Sequence, residues 1–385
     1  MLNKRYLFVP GPTPIPERVQ NAMHVPMINH RGLGYESIFK DIVCRLKDVF
    51  NTQTADILVY PSAGTGAMEA GIVNMFSAGD KVLVVSIGNF GDRLGEISKN
   101  YGLDVEMMSF EEGTAACPQK LQARLAADTN REIKGVLMTH NETSTGVTND
   151  VKALLAVCAG HPAVRMVDAV SALGAIEMRM DEWGADVVVT GSQKALMIPP
   201  GVGLVAFGPR AWEAYKVSTL PKFYWDAAKV KKSLDKWQNP YTPALNLLFG
   251  LQESLKMIEE EGLDSIYARH ELMAKMVRAA AKSMNLELLP DENVSSSVVT
   301  AIKAPEGINA KDIQKALREQ YAVTVAGGQR HLEGKIIRIG HLGYACPADM
   351  IVVLTFLEMV LYKLGHKLEL GAGVKAAQQV LLEAE

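Results

Sequence analysis

The sequence predicts an α/β protein whose main element is a mostly parallel β-sheet. Between residues 56 and 207, short apolar segments of strand length alternate with segments that have helical spacing. The strand segments are apolar along most of their length, which is typical of strands buried on both faces. The alternation therefore predicts a sheet of seven strands with helices packed on both sides. The length of 385 residues favours two domains over one.

Each predicted strand is a short run of mostly apolar residues that leads into a turn or a helix. The seven strands cover residues 57–60, 81–85, 105–110, 135–138, 165–168, 186–190 and 202–207. The helices are predicted from apolar residues that recur every three or four positions, such as Ile38, Ile42 and Leu46 in the first of them. They cover residues 36–50, 66–76, 90–99, 119–127 and 151–158.

The two ends of the chain differ in pattern from the middle. Four prolines between Pro10 and Pro16 remove backbone donors and fix φ, so residues 1–20 are predicted to form an extended arm without helix. After residue 208 the pattern is helical, and a smaller α+β unit follows. Its strands are predicted at 297–303 and 335–339, and its helices at 311–319 and 348–364. We therefore predict a large domain of residues 21–262 and a small C-terminal domain of residues 263–385.

Composition and charge argue against several other classes of protein. The net charge is −3 and 22% of the residues are charged, so neither a nucleic-acid surface nor a membrane surface is expected. No segment is apolar and long enough for a signal peptide or a membrane span, and a cytoplasmic location is therefore expected. The four cysteines are far apart and the histidines lack the spacing of metal ligands, so no metal site is predicted.

The most informative stretch for chemistry is residues 190–203, where a lysine lies between two predicted buried strands. Apart from Lys194, the sequence between Asp186 and Arg210 contains no Lys, Arg, Asp or Glu. Burial lowers the pKa of a lysine and favours its neutral, nucleophilic amine, which forms Schiff bases with carbonyl compounds such as pyridoxal phosphate. From this stretch alone, a surface lysine on a tight turn is an equally good interpretation.

Three further polar features follow predicted strands, at the edge of a parallel sheet where ligands bind. The glycine-rich segment 62–66 precedes a helix and is either an anion-binding turn or a plain turn. Asp168 ends a strand and suits the protonated ring nitrogen of pyridoxal phosphate, although alone a turn or capping aspartate is the simpler interpretation. The cluster 139–146 is either a polar wall of a site or an ordinary loop. Together with Lys194, the three features favour one pyridoxal phosphate site.

In these motifs the chain resembles the class V, fold-type I aminotransferases, which depend on pyridoxal phosphate. Within them it is most similar to the alanine–glyoxylate and serine–pyruvate or serine–glyoxylate group. The resemblance covers nearly the whole chain, from Pro10-Gly11-Pro12-Thr13 to Arg338-Ile339-Gly340. Its other specific motifs are Thr139-His140, Glu142-Thr143-Ser144-Thr145-Gly146, Val167-Asp168-Ala169-Val170-Ser171 and Gly191-Ser192-Gln193-Lys194-Ala195-Leu196.

The resemblance implies a role for each residue of the site. Lys194 is expected to form the Schiff base and to move a proton, and Asp168 to pair with the ring nitrogen, so both are expected to be catalytic. Arg338 is expected to bind the substrate carboxylate, a role that suits its two-pronged guanidinium, with Gly11 beside the substrate. The residues expected to contact the cofactor are Gly64, Thr65, Phe90, Thr143, Asp168, Val170, Gln193, Lys194 and Thr242.

Two positions differ from the family pattern, and one residue implies an assembly. Phe90 stands where the family often has a tryptophan stacked on the cofactor, and Asn239 stands where relatives have a tyrosine near the phosphate. Thr242 matches a threonine that reaches the phosphate of the neighbouring subunit. The resemblance therefore implies a homodimer.

The function that the resemblance implies is transfer of an amino group from a small amino acid, alanine or serine, to glyoxylate or pyruvate by a ping-pong mechanism. Related alternatives are an aminoethylphosphonate transaminase and a cysteine desulfurase or lyase. Desulfurases need a reactive cysteine on a loop of the small domain, and residues 326–332 contain none. A scaffold subunit without activity is an alternative of another class, and the presence of Lys194, Asp168 and Arg338 argues against it.

Overall fold

The chain folds into two β-sheets and a short two-stranded ribbon, with helices packed around them. A computed structural model describes residues 4–384. Within these residues, strands β1 to β13 are, in chain order, Tyr6–Phe8, Asp56–Tyr60, Lys81–Ser86, Asp104–Ser109, Ile133–Thr139, Asn141–Glu142, Val147–Thr148, Val164–Asp168, Val187–Gly191, Gly203–Phe207, Val299–Lys303, Val323–Gly327 and Ile336–Gly340. Helices α1 to α14 are Glu17–Met23, Leu33–Phe50, Gly64–Val73, Asn89–Asn100, Pro118–Ala127, Val151–Cys158, Met180–Trp183, Pro209–Val217, Ala227–Leu234, Leu245–Glu261, Leu263–Ser283, Ala310–Tyr321, Pro347–Lys363 and Ala372–Leu382.

The larger sheet has seven strands in the order β2-β10-β9-β8-β5-β3-β4. Strands β9, β8, β5, β3 and β4 pair in parallel, whereas β10 is antiparallel to both of its neighbours. The prediction of a mostly parallel seven-stranded sheet is thus confirmed, and each predicted strand agrees with the observed one to within two residues. Six of the seven strands are largely buried because helices cover the sheet, as their apolar sequences required. The exception is the edge strand β4, whose sequence Asp-Val-Glu-Met-Met-Ser is partly polar and whose residues are half-buried or exposed.

The helix α2 shows how sequence spacing builds this layer. Its residues Phe39, Ile42 and Leu46 lie three or four positions apart and are fully buried against the core. The helix ends where Asn51 adopts a left-handed conformation with φ of 54°. Helix α3 packs directly on β9 and β10, and its start faces the carboxyl end of β9.

The smaller sheet has four strands in the order β1-β12-β13-β11. Strand β13 lies inside it and pairs antiparallel with both β11 and β12. Helices α11 to α14 pack together on this unit and share a separate apolar core, which includes Met273, Leu317 and Leu357. The predicted boundary at residues 262 and 263 falls between α10 and α11, where Gly262 has a φ of 80°, and the division into domains remains a prediction.

The N-terminal arm is shorter than predicted and belongs to the smaller sheet. Its strand β1 pairs in parallel with β12, with Tyr6 opposite Val323. Helix α1 begins at Glu17, so the prediction of an extended arm without helix up to residue 20 is wrong over its last residues. The prolines end at Pro16, which precedes the helix in an extended conformation, and nothing in the following residues prevents a helix.

Helix α3 also differs from the prediction, which placed it at residues 66–76. It begins at Gly64, because Ala63 is extended and ends the preceding loop, and it stops at Val73. The Asn74 side chain donates to the Ala70 carbonyl at 2.6 Å and to the Trp225 carbonyl at 2.6 Å, and these bonds turn the chain away from the helix axis. The earlier start makes the glycine-rich segment itself the first turn of a helix.

The helices in residues 4–384 include none with the length and apolar character needed to cross a lipid bilayer. The cytoplasmic location remains a prediction.

Candidate active site

The candidate site lies at the carboxyl ends of three neighbouring strands of the larger sheet. In β5 and β8, Thr139 pairs with Asp168 as the last residue of each strand, and β9 ends beside them at Gly191. Parallel strands bring their carboxyl ends to one edge, and ligands of open α/β sheets bind there. Asp168 and Lys194 therefore lie at the same edge although 26 positions separate them in the sequence.

Lys194 is buried and is held by the N-terminal arm. Its Nζ donates to the Pro10 carbonyl at 2.7 Å, and its own carbonyl accepts from Thr13 Oγ1 at 2.9 Å. A Cβ on Gly11 would lie 2.5 Å from Nζ, and the φ of Gly11 is 137°, so position 11 accepts no side chain without displacing the amine. The arm therefore packs directly on the amine that the sequence marks as reactive.

The amine has an unusual electrostatic environment. Burial, and to a smaller extent the positive charges of Arg338 and Arg93, lower the pKa of Lys194 to about 8, while Asp168 opposes the effect. At pH 7 about a tenth of the amine is then neutral, far more than for a lysine in water, and the neutral amine is the form that attacks a carbonyl group. The position of Lys194 on a loop between β9 and β10 agrees with the predicted desolvation.

Asp168 ends β8 and is 2% exposed. One carboxylate oxygen accepts from the Val170 amide at 2.9 Å, and no other residue among 4–384 donates to its side chain. Burial raises the pKa of Asp168 to about 7, with the nearby Glu142 carboxylate adding to the effect. A buried carboxylate with a free oxygen is a suitable partner for a positively charged ring nitrogen, which would compensate for its desolvation.

The first turn of α3 forms an anion cradle. The amides of Gly64, Thr65 and Gly66 have no hydrogen-bond partner among the described residues, as expected for the start of a helix. A Cβ on Gly191 would lie 2.9 Å from both the Gly64 nitrogen and Gln193 Oε1, so glycine is required for the close approach. Gln193 Oε1 is buried without a partner within residues 4–384. The three free amides suit a phosphate group, and the Gln193 side chain lies beside them.

A Cβ on Gly64 would also lie 2.8 Å from a methyl group of Val170. Val170 is thus at the floor of the site, between the cradle and Asp168. The Thr143 hydroxyl donates to Ser171 Oγ at 2.8 Å, and Ser171 Oγ donates to the Asn141 carbonyl at 2.9 Å. The resemblance implies that Thr143 and Val170 lie near the ring of the cofactor. In the structure both lie close to Asp168, because the Val170 amide bonds its carboxylate and Thr143 bonds Ser171 in the same segment.

Arg338 reaches the site from β13 of the smaller sheet and is 4% exposed. Its Nε donates to the Gly327 carbonyl at 2.8 Å and its Nη1 donates to the Thr143 carbonyl at 2.8 Å. Two of its five N–H groups are thereby fixed, and the others remain available for a carboxylate. Burial lowers the pKa of Arg338 to about 10, so the guanidinium stays charged at neutral pH.

Phe90 lies in the first turn of α4, and Glu142, a residue without an assigned role in the sequence, holds it there. The Glu142 carboxylate is fully buried and accepts from the amides of Phe90 at 3.0 Å and Gly91 at 3.2 Å, as well as from Ser144 Oγ at 2.5 Å. Burial raises the pKa of Glu142, while these hydrogen bonds favour its ionised form. Glu142 thus caps α4 and sets the position of the Phe90 backbone.

Thr242 is the one cofactor residue of the predicted set that the fold leaves apart. It is exposed, in the loop before α10, and its side chain has no hydrogen-bond partner within residues 4–384. The neighbouring Asn239 is buried and accepts a hydrogen bond from the Tyr35 hydroxyl. Asn239 therefore has an internal role in its own chain.

No group of three or more His, Cys, Asp or Glu side chains in the described part of the chain is arranged to hold a metal ion.

The chain matches the family model "Aminotransferase class-V" over residues 5–346 and belongs to that family. It is an aminotransferase of the fold-type I architecture, and pyridoxal phosphate is its cofactor. The free cradle amides, the unpaired oxygen of Asp168 and the buried amine of Lys194 fit this cofactor, which would bind along that edge of the sheet.

Several known proteins are similar over their full length. The chain is 43% identical to the "Soluble hydrogenase, small subunit" of Synechococcus sp. (strain PCC 6716), with 100% of both chains covered. It is 38% identical to the L-aspartate–glyoxylate aminotransferase of Paracoccus denitrificans (98% of this chain, 96% of the other) and 38% identical to the serine–glyoxylate aminotransferase of Methylorubrum extorquens (99% and 96%). The crystal structure of the ureidoglycine–glyoxylate aminotransferase of Bacillus subtilis superposes with a TM-score of 0.94 at 29% identity, covering 99% of both chains.

Proposed function

We propose that the protein transfers the amino group of a small amino acid, alanine or serine, to glyoxylate or pyruvate by a ping-pong mechanism. The observation that carries the proposal is the meeting of Lys194, Asp168 and Arg338 at one site although they come from two sheets. A base, a partner for the cofactor ring and a carboxylate-binding cation are what transamination of an α-amino acid requires. The similarity to two glyoxylate aminotransferases supports glyoxylate as the acceptor.

In this proposal each residue acts at a defined atom. Pyridoxal phosphate, when bound, withdraws electrons from the bonds to the substrate Cα. Lys194 Nζ is the attachment point of the cofactor and, once released, removes the proton from the donor Cα and later delivers one to the Cα of the acceptor. Asp168 keeps the ring nitrogen protonated, and Arg338 fixes the α-carboxylate of both substrates. The close packing of Gly11 on Lys194 leaves little space beside the amine, which favours short side chains.

A substrate screen tests the proposed specificity. Amino acids should be paired with glyoxylate, pyruvate and 2-oxoglutarate, and the amino acid formed from each acceptor should be measured. We expect the highest kcat/KM for alanine or serine with glyoxylate or pyruvate. A clear preference for aspartate as donor would contradict the proposal. A preference for aminoethylphosphonate, or removal of sulfur from cysteine, would contradict it as well and would select one of the alternatives.

The Arg338→Lys variant tests how the substrate carboxylate is bound. Lysine keeps the charge but cannot form the two parallel hydrogen bonds of a guanidinium. Because donor and acceptor carry the same carboxylate, KM should rise for both, by about 30-fold for a loss of roughly 2 kcal/mol. Steady-state kinetics with both substrates measure this effect.

The control for this experiment is Arg318→Lys, because Arg318 lies on the exposed side of α12 and has only a distant partner in Glu319. It should leave both KM values unchanged. If KM changes for neither substrate in Arg338→Lys, another group binds the carboxylate.

We also propose that the active unit is a homodimer in which Thr242 reaches the partner's site. Thr242 adjoins an exposed aromatic cluster, in which Tyr241 stacks on Phe223 at 5.8 Å and on Tyr224 at 5.4 Å between ring centres. Phe223 is 70% exposed. Exposed apolar surface of this kind is typical of subunit interfaces, and the exposed Thr242 would then contact the phosphate in the neighbouring subunit.

Mixing Lys194→Ala and Thr242→Ala chains tests the shared site. A heterodimer would contain one site with both lesions and one intact site, so about a quarter of all sites in an equal mixture should bind pyridoxal phosphate with wild-type affinity. Titration of the mixture with the cofactor measures this fraction. Mixing Lys194→Ala with Arg338→Ala is the control, assayed by transamination. It should restore no activity beyond that of the unmixed Arg338→Ala chains, because Arg338 contacts Thr143 of its own chain and every heterodimer site therefore keeps one lesion. An intact fraction of zero in the first mixture would contradict a Thr242 contact between subunits.

A further inference from the structure

Arg93 lies at the rim of the candidate site and has so far been assigned no ligand, although its charge acts on Lys194. It follows Phe90 by three positions on α4, so the two side chains share one face of the helix. The guanidinium carbon lies 4.7 Å from the centre of the Phe90 ring, and Nη1 lies 3.4 Å from Thr65 Oγ1 in the first turn of α3. The ring supports the guanidinium in this position by a cation–π contact.

Within residues 4–384, Arg93 has no carboxylate within ion-pair distance. Its helix offers two acidic neighbours, Asp92 and Glu96, but both pair with Arg330, at 2.9 Å and 2.7 Å. Arg93 is only partly exposed, and its charge extends into the site, where it lowers the pKa of both Asp168 and Lys194. A partly buried cation without a counter-ion is suited to an anionic ligand.

The neighbouring cradle lacks a charge that matches its proposed ligand. The first turn of α3 provides the amides of Gly64, Thr65 and Gly66, which are neutral donors. A phosphate monoester carries about −1.5 to −2 charges at pH 7. Guanidinium groups bind phosphate through short, charge-assisted hydrogen bonds, and Arg93 is placed at the cradle through Thr65.

We propose that Arg93 binds the phosphate group of pyridoxal phosphate together with the first turn of α3, with the Phe90 ring supporting its guanidinium. The inference rests on the proposed phosphate contacts of Gly64 and Thr65, and it is independent of which amino donor and acceptor the enzyme uses. It adds a charged residue to a cradle that otherwise consists of neutral groups.

Comparing two ligands that differ only in the phosphate tests the inference. Apoprotein is titrated with pyridoxal phosphate and with pyridoxal, and binding is followed by visible absorbance in the absence of substrates. In Arg93→Met, which keeps most of the side-chain length, the affinity for pyridoxal phosphate should fall about tenfold or more, whereas the affinity for pyridoxal should change less than about twofold. Arg93→Lys should recover part of the loss because it restores the charge.

The matched control is Lys99→Met, which removes a positive charge from the exposed end of the same helix and should change neither affinity. An equal loss for both ligands in Arg93→Met would overturn the inference, since Arg93 would then act through Phe90 and the ring of the cofactor. Unchanged affinity of Arg93→Met for pyridoxal phosphate and for pyridoxal would overturn the inference as well. If the KM of this variant for the amino acid or the 2-oxo acid rose at the same time, Arg93 would be assigned to the substrate. These binding data do not depend on turnover, so a wrong substrate proposal would leave them interpretable.

Discussion

Lys194→Ala should abolish transamination, with kcat lower by about three orders of magnitude or more, because attachment of the cofactor and proton transfer both need the amine. Borohydride reduction of the loaded wild-type protein, followed by peptide mapping, should find the trapped cofactor on Lys194. Lys222 is the matched control, since it is also a partly buried lysine whose pKa is lowered by burial. Lys222→Ala should leave the labelling and the rate unchanged. A label on another lysine, or near-normal turnover in Lys194→Ala, would contradict the role.

The lowered pKa of Lys194 adds a pH dependence to this expectation. In the apoprotein, the neutral amine is the form that reacts with the aldehyde of the cofactor, and its fraction rises with pH through a pKa of about 8. The rate of reconstitution should therefore increase with pH through this pKa and level off about one pH unit above it. A lysine in water, with a pKa of about 10.4, would give a rate that keeps rising beyond that point. Stopped-flow absorbance over this pH range distinguishes the two cases.

Asp168→Asn should retain bound cofactor but lower turnover by about two orders of magnitude or more, the size typical of losing one electrostatic contact to the reacting group. Asparagine has the same shape, so the fold around Val170 should persist, but it cannot hold a proton on the ring nitrogen. Rates and the visible spectrum of the loaded variant measure the two effects separately.

Asp128→Asn is the control for Asp168→Asn, because Asp128 is also a buried aspartate but lies outside the site. It lies beside the amino end of β5, where its carboxylate accepts from the Ile133 amide at 3.0 Å and pairs with His161 at 3.1 Å. Removing that carboxylate should lower the free energy of unfolding without changing the spectrum of the bound cofactor. Near-normal turnover in Asp168→Asn would refute its proposed role.

The sheet and its functional edge could be predicted from the sequence because both depend on local patterns. A run of apolar residues determines where a buried strand ends, and the polar residue that follows must lie at the edge of the sheet. Asp168 and Lys194 were assigned to that edge by this pattern alone, and β8 and β9 do end beside them. The isoleucines on either side of Arg338 predict that it lies on a strand. Whether its side chain reaches the site depends on how the two sheets pack against each other, and no local sequence pattern determines that packing.

Other features of the site depend on the packing of distant segments. The contact between the Pro10 carbonyl and Lys194 joins residues that are far apart in the sequence, and a backbone carbonyl has no residue type by which it could be recognised. The burial of Glu142 is likewise set by α4 packing over it. Arg93 did have a signal, since it follows Phe90 at helical spacing, and a search for charged residues on the face of a predicted site residue would have found it.

The pairing of β1 with β12 has a consequence for the biosynthesis of the enzyme. Tyr6 leaves the ribosome well before its partner Val323, because 317 positions (323 − 6) separate the two residues in the sequence. Domains generally fold as they emerge, and contacts between distant residues form late. The larger sheet can therefore assemble while the arm has no strand to join. The arm that holds Lys194 through Pro10 is secured only after β12 has been translated. A product truncated before β12 should thus contain the folded larger sheet but lack the contact of the arm with Lys194. Such incomplete chains should therefore be inactive.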